Sequence, residues 1–418
     1  SGGRFLLGYI IKEAKMLQET IAGFPEVKKA VIAGSFRRFK ETVGDIDILV
    51  IAKNPQKTME RFVKLPSVAH IYGQGRTKTN VRLKSGLDVD VRVVAEESFG
   101  AALNYFTGSK EHNVALRELA LKKGWKLNEY GLFRANRRLA GRTEEELYQK
   151  LGLSYIAPEL RENKGEIEAA RDGKLPKLLD YIDLRGDLQM HTTWSDGKNS
   201  IAEMAKAAWQ SGLEYIAITD HTRSLAMAGG LDEAKLALQG KEIDKVKAKI
   251  KILKGAEVNI RKDGTLDIAD EALAKLDVVG AAVHSHFDLP RAEQTKRLIK
   301  AMENPNVDIL IHPSGRLINR RQGIEADWEE IFSVAKGTGT VLEIDASPER
   351  LDLGDEKIRR AVERGVKLVI DSDAHSPQQL RYLKLGIAQA RRGWAEKKDI
   401  INTLPLSHFL AALKGGRI

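Results

Sequence analysis

The stretch Asp187-Leu-Gln-Met-His-Thr-Thr-Trp-Ser-Asp-Gly197 brings together several side chains that can bind metal ions. Its first residues alternate between polar and apolar, as in a strand, so we expect Asp187, Gln189 and His191 on one face. Ser195-Asp-Gly197 then forms a turn that can direct a carboxylate back across the end of the strand. The stretch therefore predicts a strand that ends in a metal site.

Further polar motifs follow this stretch, and each comes directly after an apolar, strand-like run. They are Thr219-Asp-His221, Glu257, His284-Ser-His286, His312-Pro313 and Asp371-Ser-Asp-Ala-His375. Seven strand-like runs with helical segments between them predict repeated βα units and a parallel, distorted (βα)7 barrel. A single histidine is usually structural, but His or Glu at the ends of five strands predicts a metal site at one rim.

The composition of the 418 residues is that of a protein with substantial cores, since 42% are hydrophobic and 30% are charged. A chain of this length predicts two or three domains, and it has no apolar run that approaches a membrane span. It contains no cysteine, which excludes disulfides and leaves His and carboxylates as the expected metal ligands. We expect a cytoplasmic protein without a membrane partner.

The net charge of +10 is concentrated in the N-terminal part of the chain. Residues 1–150 carry 27 Lys and Arg against 17 Asp and Glu, whereas residues 151–418 carry 41 of each class. Such an excess favours a polyanionic partner, with nucleic acid as the natural choice. A basic surface that only keeps the protein soluble is the alternative that charge alone leaves open.

Two strand-like runs in this basic part carry carboxylates at alternate positions. Asp45 and Asp47 share a face of the first run, and Asp88 and Asp90 share a face of the second. Divalent cations such as Mg²⁺ would offset the repulsion among them, and two such ions can promote an in-line phosphoryl transfer. The turn Gly34-Ser35 offers backbone N–H groups to a phosphate. Spacing alone does not choose between Asp88 and Asp90, and Asp45-Ile-Asp47 alone would also fit an ordinary edge strand.

Five motifs follow one another within residues 10–150. They are Gly34-Ser-Phe-Arg-Arg38, Gly44-Asp-Ile-Asp47, Val89-Asp-Val-Arg92, Asn104-Tyr-Phe-Thr-Gly-Ser109 and Lys126-Leu-Asn-Glu-Tyr130. In this order they resemble the palm and thumb of family X DNA polymerases, the polymerase beta type. The resemblance implies a catalytic, metal-binding triad of Asp45, Asp47 and Asp90, with Asp90 accepting the proton of the 3′-hydroxyl. It also implies nucleotide contacts from Gly34, Ser35, Arg38, Gly44, Tyr105, Phe106, Gly108, Asn113 and Arg117. One departure is Phe39, where the family often has glycine.

Residues 184–418 resemble the PHP (polymerase and histidinol phosphatase) domain through the barrel motifs described above. A PHP domain behind a palm and thumb is the architecture of bacterial and archaeal family X polymerases. The resemblance implies a metal-dependent phosphoesterase that acts as a 3′→5′ exonuclease or processes 3′ ends. It implies a first metal ion at Gln189, His191, Glu257 and Asp373, a second at Glu257, His284 and His312, and a third at Asp196, His221 and His375.

Gln189 departs from the family pattern, because the family usually has the first histidine of a His-x-His motif at that position. An amide oxygen is a weaker ligand than imidazole for Zn²⁺ or Mn²⁺. We therefore expect the first metal ion to bind more loosely than the other two.

The resemblance predicts a multidomain α/β protein with a nucleotidyltransferase-type palm at 1–97, a small thumb at 98–156, a linker at 157–183 and the PHP barrel at 184–418. The expected cofactors are Mg²⁺ or Mn²⁺ in the palm and up to three Zn²⁺ or Mn²⁺ ions in the barrel. The expected partners are primer–template or gapped DNA and dNTPs. We expect the lyase and fingers region that usually precedes the palm to be absent.

The favoured function is a DNA repair polymerase with a 3′-end processing activity in its barrel. One alternative is a polymerase whose barrel is a catalytically impaired scaffold, because of Gln189. Another is a nucleotidyltransferase fused to a small-molecule phosphatase, and a third is a DNA-binding module without activity.

Overall fold

The computed structural model describes residues 3–414, and these fold as two compact units that divide between Leu175 and Pro176. We call the N-terminal part unit 1 and the C-terminal part unit 2. Among the helices of the described residues, none combines the length and the apolar character that a membrane crossing requires.

The first part of unit 1 is built around a mixed sheet. Its elements are β1 (Phe5–Leu6), α1 (Leu7–Ala22), β2 (Val27–Ile32), α2 (Gly34–Arg37), β3 (Thr42–Val43), β4 (Asp45–Ala52), α3 (Pro55–Val63), β5 (Val68–Gln74), β6 (Lys78–Leu83) and β7 (Asp88–Val93). The five-stranded sheet has the order β2-β4-β7-β6-β5. β4 and β7 run parallel, and the other neighbours are antiparallel.

The sequence of β4 explains which face of this sheet is open. Ile46 and Ile48 are fully buried, whereas Asp45 is exposed and Asp47 is half-buried on the opposite face. On that opposite face Leu49 packs in a cluster with Phe99 and its neighbours. The helix that follows the sheet therefore covers Leu49 and leaves the two carboxylates accessible.

The second part of unit 1 is smaller and mixes helices with a three-stranded antiparallel sheet. Its elements are α4 (Phe99–Thr107), α5 (Lys110–Lys122), β8 (Lys126–Asn128), β9 (Gly131–Arg134), β10 (Arg137–Ala140), α6 (Glu144–Leu151) and α7 (Glu166–Arg171), with short 3₁₀ turns at Glu96–Ser98 and Pro158–Leu160. Arg161 is fully buried and binds Glu144 with an N–O distance of 2.6 Å, while Arg37 binds the same carboxylate at 2.8 Å. This buried ion network ties α2 to α6 and to the segment before α7.

Phe39 adopts a φ of 53° in the turn after α2. This is the left-handed region that favours glycine. The departure noted in the sequence is thus a bulky residue in a conformation that suits glycine.

Unit 2 is a barrel of seven parallel strands. The strands are β11 (Gly186–Asp187), β12 (Tyr215–Ile218), β13 (Lys251–Asn259), β14 (Val278–Ala282), β15 (Ile309–Leu310), β16 (Val341–Asp345) and β17 (Leu368–Asp371). They pair in sequence order from β11 to β17, and all six ladders are parallel. A further parallel bridge between Met190 and Ala374 joins the segments that follow the first and the last strand.

Helices alternate with these strands, as the sequence predicted. They are α8 (Ile201–Gln210), α9 (Glu233–Lys245), α10 (Asp270–Leu273), α11 (Arg291–Glu303), α12 (Trp328–Thr338), α13 (Asp355–Glu363), α14 (Leu383–Arg392) and α15 (Leu406–Ala412), with 3₁₀ turns at Ala226–Ala228, Pro377–Tyr382, Lys397–Asp399 and Ile401–Thr403. Along β12, Tyr215 and Ala217 belong to one apolar cluster and Ile216 and Ile218 to another. Both faces of the strands are therefore buried, as expected of a parallel sheet, and the predicted fold class is confirmed.

The prediction for residues 187–191 was only partly correct. The regular strand ends at Asp187, because the N–H of Leu188 donates to the side chain of Asp371 at 2.8 Å instead of to a neighbouring backbone carbonyl. Asp187 does not join Gln189 and His191 at the metal-binding cluster; it accepts a hydrogen bond from the Ser372 N–H at 3.0 Å. The alternating pattern correctly predicted an extended segment. The end of the strand is determined by hydrogen bonds to side chains, which the pattern does not contain.

Two candidate metal-dependent sites

β4 and β7 set the carboxylates of unit 1 side by side. In the parallel register Asp47 lies opposite Asp90, and Asp45 lies opposite Asp88. All four side chains are at least partly accessible to solvent. The sheet therefore brings the predicted triad to one face, together with the fourth carboxylate that spacing could not separate from it.

The partners of Asp88 and Asp90 distinguish these two carboxylates. Both oxygens of Asp88 accept hydrogen bonds from Arg82, at 2.8 Å each. Asp90 instead accepts a short hydrogen bond from the Asn80 amide and lies 3.7 Å from the Lys78 ammonium. Both oxygens of Asp88 are thus occupied by a bidentate ion pair. Among residues 3–414, the second oxygen of Asp90 is approached by the Lys78 ammonium at 3.7 Å and accepts no hydrogen bond.

Burial and mutual repulsion raise the pKa of two of these carboxyls. Loss of solvation, followed by the charges of Asp45 and Asp90, raises the pKa of Asp47 to about 7. The pKa of Asp45 is raised as well, by burial first and then by Asp90. The three predicted ligands do not form, within residues 3–414, a cluster with all ligand atoms inside 4.8 Å. Repulsion among the three carboxylates contributes to these raised pKa values, and a bound divalent cation would offset it.

Gly34 and Ser35 begin α2 beside this carboxylate face, and Gly44 directly precedes β4. Gly34 has a φ of +65°, and a Cβ there would lie 2.6 Å from the Asp47 Oδ2 atom. The close approach of backbone to carboxylate therefore requires glycine. Of these predicted phosphate contacts, Gly34 lies directly against Asp47.

Arg38 is held between two elements of unit 1. Its Nε atom donates to Glu162 at 3.0 Å and its Nη1 atom donates to the carbonyl of Thr107 at 2.5 Å. A Cβ at Gly108 would lie 3.0 Å from the same Nη1 atom. The structure therefore brings together Arg38 and Gly108, two of the predicted nucleotide contacts.

The other predicted nucleotide contacts lie on α4 and α5. The rings of Tyr105 and Phe106 meet edge to face at 5.0 Å, and the Arg92 guanidinium lies 4.6 Å from the Phe106 centroid. Asn113 donates to the Tyr105 carbonyl at 2.7 Å, and its own Oδ1 atom is buried without a hydrogen-bond partner among the described residues. Arg117 is half-buried one turn further along α5.

A cavity of about 280 Å³ opens beside these residues, and Lys78, Arg92, Phe106 and Tyr130 contribute to its wall. Lys78 and Tyr130 are not among the site residues predicted from the sequence. The basic, glycine-rich segment 73–78 is the signal that could have indicated Lys78.

Glu257 is the centre of the cluster in unit 2. It is fully buried near the end of β13, and its Oε1 atom lies 2.9 Å from the Nε2 atoms of both His284 and His312. Its Oε2 atom lies 3.3 Å from His191 and 3.4 Å from His221. Four imidazoles from different strand ends thus converge on one carboxylate, as the barrel prediction requires.

Three overlapping groups of side chains around Glu257 have ligand atoms close enough to share a metal ion. They are His191, Asp196, His221 and His375; His221, Glu257 and His284; and His191, Glu257 and Asp373. These groups contain every predicted ligand of the barrel except Gln189 and His312, both of which contact Glu257. The grouping differs from the predicted sets in that His191 and His221 each belong to two groups.

The orientation of the imidazoles fits metal ions. The Nδ1 atom of His284 faces the amide oxygen of Asn259 at 2.6 Å, so it carries the proton and leaves Nε2 as a lone-pair donor. That Nε2 atom faces a carboxylate oxygen of Glu257 and has no hydrogen-bond donor between them. Two acceptors at 2.9 Å repel each other unless a cation lies beside both. Asn259 is a positioning residue that the sequence analysis missed.

The pKa shifts within the cluster support the same conclusion. Burial would lower the pKa of His191, but its contacts with Asp373 and Glu257 raise the pKa well above its usual value. Burial would likewise raise the pKa of Asp373, yet His191 and His375 lower it to a value far below its usual range. A proton on His191 therefore supplies positive charge that a metal ion would supply in its place.

Gln189 lies within this cluster, at the position of the first predicted metal ion. Its Nε2 atom donates to Glu257 at 3.1 Å and to Asp373 at 3.2 Å. Its Oε1 atom is buried without a hydrogen-bond partner in the described part of the chain. The amide thus bridges two of the carboxylates with its N–H groups, and a metal ion there would require it to turn its oxygen inward.

Comparisons with known proteins match both units of the chain. A family model described as DNA polymerase beta palm matches residues 10–94, one described as DNA polymerase beta thumb matches residues 102–162, and one described as PHP domain matches residues 187–375. The DNA polymerase/3′-5′ exonuclease PolX of Bacillus subtilis (strain 168) is 41% identical, over 98% of this chain and 73% of that protein.

Two further similarities each cover part of the chain. A probable phosphatase of Thermoanaerobacter sp. (strain X514) is 35% identical, over 45% of this chain and 78% of that protein. A crystal structure of Leishmania infantum polymerase beta in a ternary gap complex covers 38% of this chain and 71% of that chain, with 23% identity and a TM-score of 0.35. The last likeness is too distant for an argument about function.

Proposed function

The chain belongs to the family X DNA polymerases that carry a PHP domain, and we propose that it both extends and shortens DNA strands. The observation that carries this proposal is the presence, in one chain, of the Asp45–Asp47–Asp90 face and of the histidine cluster around Glu257. We assign residues 1–97 to the palm, 98–156 to the thumb, 157–183 to the linker and 184–418 to the PHP barrel. Because its proposed substrate is DNA, we also propose that the protein acts in the cytoplasm.

In the palm, Asp45, Asp47 and Asp90 would hold Mg²⁺ or Mn²⁺, which supply charge neutralisation for the triphosphate. Asp90 is proposed to accept the proton of the primer 3′-hydroxyl. The 3′-oxygen then forms a bond to the α-phosphorus of the dNTP, and the bond to pyrophosphate breaks. Gly34, Ser35, Arg38 and Gly44 are proposed to bind the triphosphate, and Tyr105, Phe106, Gly108, Asn113 and Arg117 the remainder of the nucleotide.

In the barrel, the predicted ligands would hold up to three Zn²⁺ or Mn²⁺ ions, which activate water and offset phosphate charge. The water oxygen forms a bond to the phosphorus of the last phosphodiester, and the bond from that phosphorus to the 3′-oxygen of the preceding nucleotide breaks. A proton passes to this 3′-oxygen, so the products are a shortened strand with a 3′-hydroxyl and a nucleoside 5′-monophosphate. Glu257 is proposed to join the metal ions, because four imidazoles surround it.

One experiment tests both activities on a 5′-labelled primer–template with Mn²⁺ or Mg²⁺. With dNTPs the primer should be extended, and Asp90→Asn should abolish extension. Asp88→Asn is the matched control, since this residue shares the same face but is paired with Arg82; it should retain extension. Extension that survives Asp90→Asn would contradict the palm assignment.

Without dNTPs the same primer should be shortened from its 3′ end. His284→Ala should abolish shortening, because His284 lies against Glu257. His286→Asn is the matched control, since His286 is exposed two residues further on and belongs to none of the three metal-binding groups of the described residues. Shortening that persists in His284→Ala would show that the barrel is not the nuclease.

A second candidate function is a polymerase whose barrel is a scaffold without nuclease activity. Gln189 favours it, since its amide bridges Glu257 and Asp373 in the place of a predicted metal ion. This candidate predicts extension without shortening in the wild-type chain, and shortening restored by Gln189→His.

A further inference from the structure

Arg350 lies in the loop between β16 and α13, and its guanidinium faces the cluster in unit 2. Its Nε atom is 3.9 Å from Asp373 Oδ2 and 3.8 Å from Asp345 Oδ2, and the side chain is only 19% exposed. Both distances exceed those of hydrogen bonds. In the described chain the guanidinium forms no hydrogen bond, so its five N–H donors are not used by the protein.

The loop that carries Arg350 is closed by backbone hydrogen bonds. The N–H of Asp345 donates to the Asp352 carbonyl at 2.6 Å, and the N–H of Asp352 donates back at 3.2 Å. Arg316 donates to the carbonyl of Arg350 itself at 2.8 Å. These bonds fix the backbone of residue 350 beside the cluster, and the small exposure of the side chain limits where its guanidinium can lie.

Neutralisation of the buried carboxylates does not account fully for this arrangement. Asp345 accepts a hydrogen bond from the Ser347 N–H at 2.7 Å, and Glu343 accepts one from the His312 N–H at 2.9 Å. One oxygen of each carboxylate thus has a backbone partner, and Arg350 lies too far from the other oxygen of Asp345 to donate a hydrogen bond to it. The neighbouring carboxyl groups of Asp345 and Asp373 explain why a buried guanidinium is tolerated here, but at these distances they leave the donors of Arg350 available to a ligand.

We propose that Arg350 binds a non-bridging oxygen of the scissile phosphate in the barrel site. A guanidinium presents paired N–H groups that match two oxygens of a phosphate. Negative charge on these oxygens increases as the water oxygen bonds to phosphorus, so a fixed donor stabilises the transition state more than the bound substrate. Arg350 does not supply the proton that passes to the leaving 3′-oxygen. This role rests on the proposed nuclease function of the barrel.

The test compares Arg350→Ala and Arg350→Lys with wild type in the absence of dNTPs, on a 5′-labelled single-stranded oligonucleotide with Mn²⁺. Arg350→Ala should lower kcat/KM about 10²-fold, with most of the loss in kcat, because one charge-stabilising donor is removed. Arg350→Lys should retain an intermediate rate, since it keeps the charge but loses the paired donors. Added guanidinium ions at low millimolar concentration should partly restore Arg350→Ala.

Inorganic phosphate provides a second measurement, because its inhibition constant reports how tightly phosphate binds and not how fast DNA is cleaved. Competitive inhibition of the wild type by phosphate should weaken about tenfold in Arg350→Lys, because the phosphate loses the same contact. Arg364→Ala is the control for loss of one positive charge: Arg364 is exposed at the end of α13, pairs with Glu329, and precedes β17 at the opposite end of the barrel. It should leave both measurements unchanged.

Two results would overturn the assignment of Arg350. One is an unchanged kcat/KM and phosphate inhibition in both variants. The other is a loss of bound Mn²⁺, measured by elemental analysis, that accounts for the whole loss of activity and is not relieved by guanidinium; Arg350 would then only stabilise the metal ligands. If instead the wild-type chain does not shorten DNA, or His284→Ala still does, the proposed function of the barrel has failed before Arg350 is tested.

Discussion

Gly34 and Asp47 approach each other so closely that a Cβ carbon at position 34 would lie 2.6 Å from the Asp47 Oδ2 atom. Gly34 also has a φ of +65°, a backbone conformation that residues other than glycine adopt only at a cost in free energy. The turn before α2 and the carboxylate on β4 are therefore fitted to each other. Any side chain at position 34 must move the backbone of the turn, the carboxylate, or both.

We predict that Gly34→Ala lowers the rate of primer extension about 10²-fold, because a shift near 1 Å at a reacting centre has effects of this size. Shortening of DNA by the barrel should be unchanged. Gly124→Ala is the matched control: Gly124 has a φ of +71°, but a Cβ there would meet no atom within 4 Å. If both variants extend primers equally well, contact with Asp47 is not what restricts position 34.

Gln189→His should increase the number of metal ions bound to the barrel. The Gln189 amide donates to Glu257 and Asp373, and these hydrogen bonds compete with a cation for the two carboxylates. An imidazole adds a stronger ligand, so we expect the weakest ion to bind at least about tenfold more tightly, the size of effect seen when partners of metal ligands are changed.

Elemental analysis after dialysis against Mn²⁺ or Zn²⁺ measures this change, with Gln189→Met as the variant that removes the amide and adds no comparable ligand. Gln189→Met should bind no more metal than wild type. Equal metal content in Gln189→His and wild type would show that the amide oxygen already serves as a full ligand.

The Mg²⁺ requirement of the palm should depend on pH near neutrality. Burial, Asp45 and Asp90 raise the pKa of Asp47 to about 7, so this carboxyl is largely protonated below that pH and must release its proton before it binds a cation. The half-saturating Mg²⁺ concentration for primer extension should therefore be about tenfold higher at pH 6 than at pH 8. Measured separately from the maximal rate, a half-saturation value that does not change with pH would contradict this prediction.

The barrel and most of its ligands could be predicted from the sequence, because each ligand follows an apolar run and parallel strands deliver their ends to one rim. His191, Glu257 and His284 illustrate this, as they meet although they are far apart in the chain. The choice between Asp88 and Asp90 could not be predicted by spacing, since both lie on the same face of β7. It depends on Arg82 and on the neighbouring strand β6.

Other features could not be predicted because they depend on contacts between distant segments. The strand at 187–191 stops early because Leu188 bonds to the side chain of Asp371, and no local pattern contains that information. Arg350 follows β16, as ligands of the barrel follow other strands, but it is not a metal ligand by type. Only its position beside Asp373 indicates a role.

The buried ion network of unit 1 leads to a prediction about stability. Burial by itself would raise the pKa of Glu144, but Arg161 and Arg37 outweigh it and lower the pKa to about 2. A carboxyl whose pKa falls from 4.5 in the unfolded chain to about 2 stabilises the fold above pH 4.5, by on the order of 3 kcal/mol. This contribution is lost as the pH falls from 4.5 toward 2.

Glu144→Gln should lower the free energy of unfolding of unit 1 by about 3–5 kcal/mol at pH 7, because it leaves the fully buried Arg161 without its carboxylate. Hydrogen exchange followed by mass spectrometry measures this, since peptides of unit 1 should lose protection while those of unit 2 serve as an internal reference. Glu145→Gln removes the same charge from the next, exposed position of α6 and should leave protection unchanged. As the pH approaches 2, the wild type and Glu144→Gln should converge, because the carboxyl is then protonated in the unfolded chain and about half protonated in the folded one. A difference that persists undiminished at that pH would mean that the side-chain volume or the hydrogen-bond geometry of Glu144, and not its charge, stabilises unit 1.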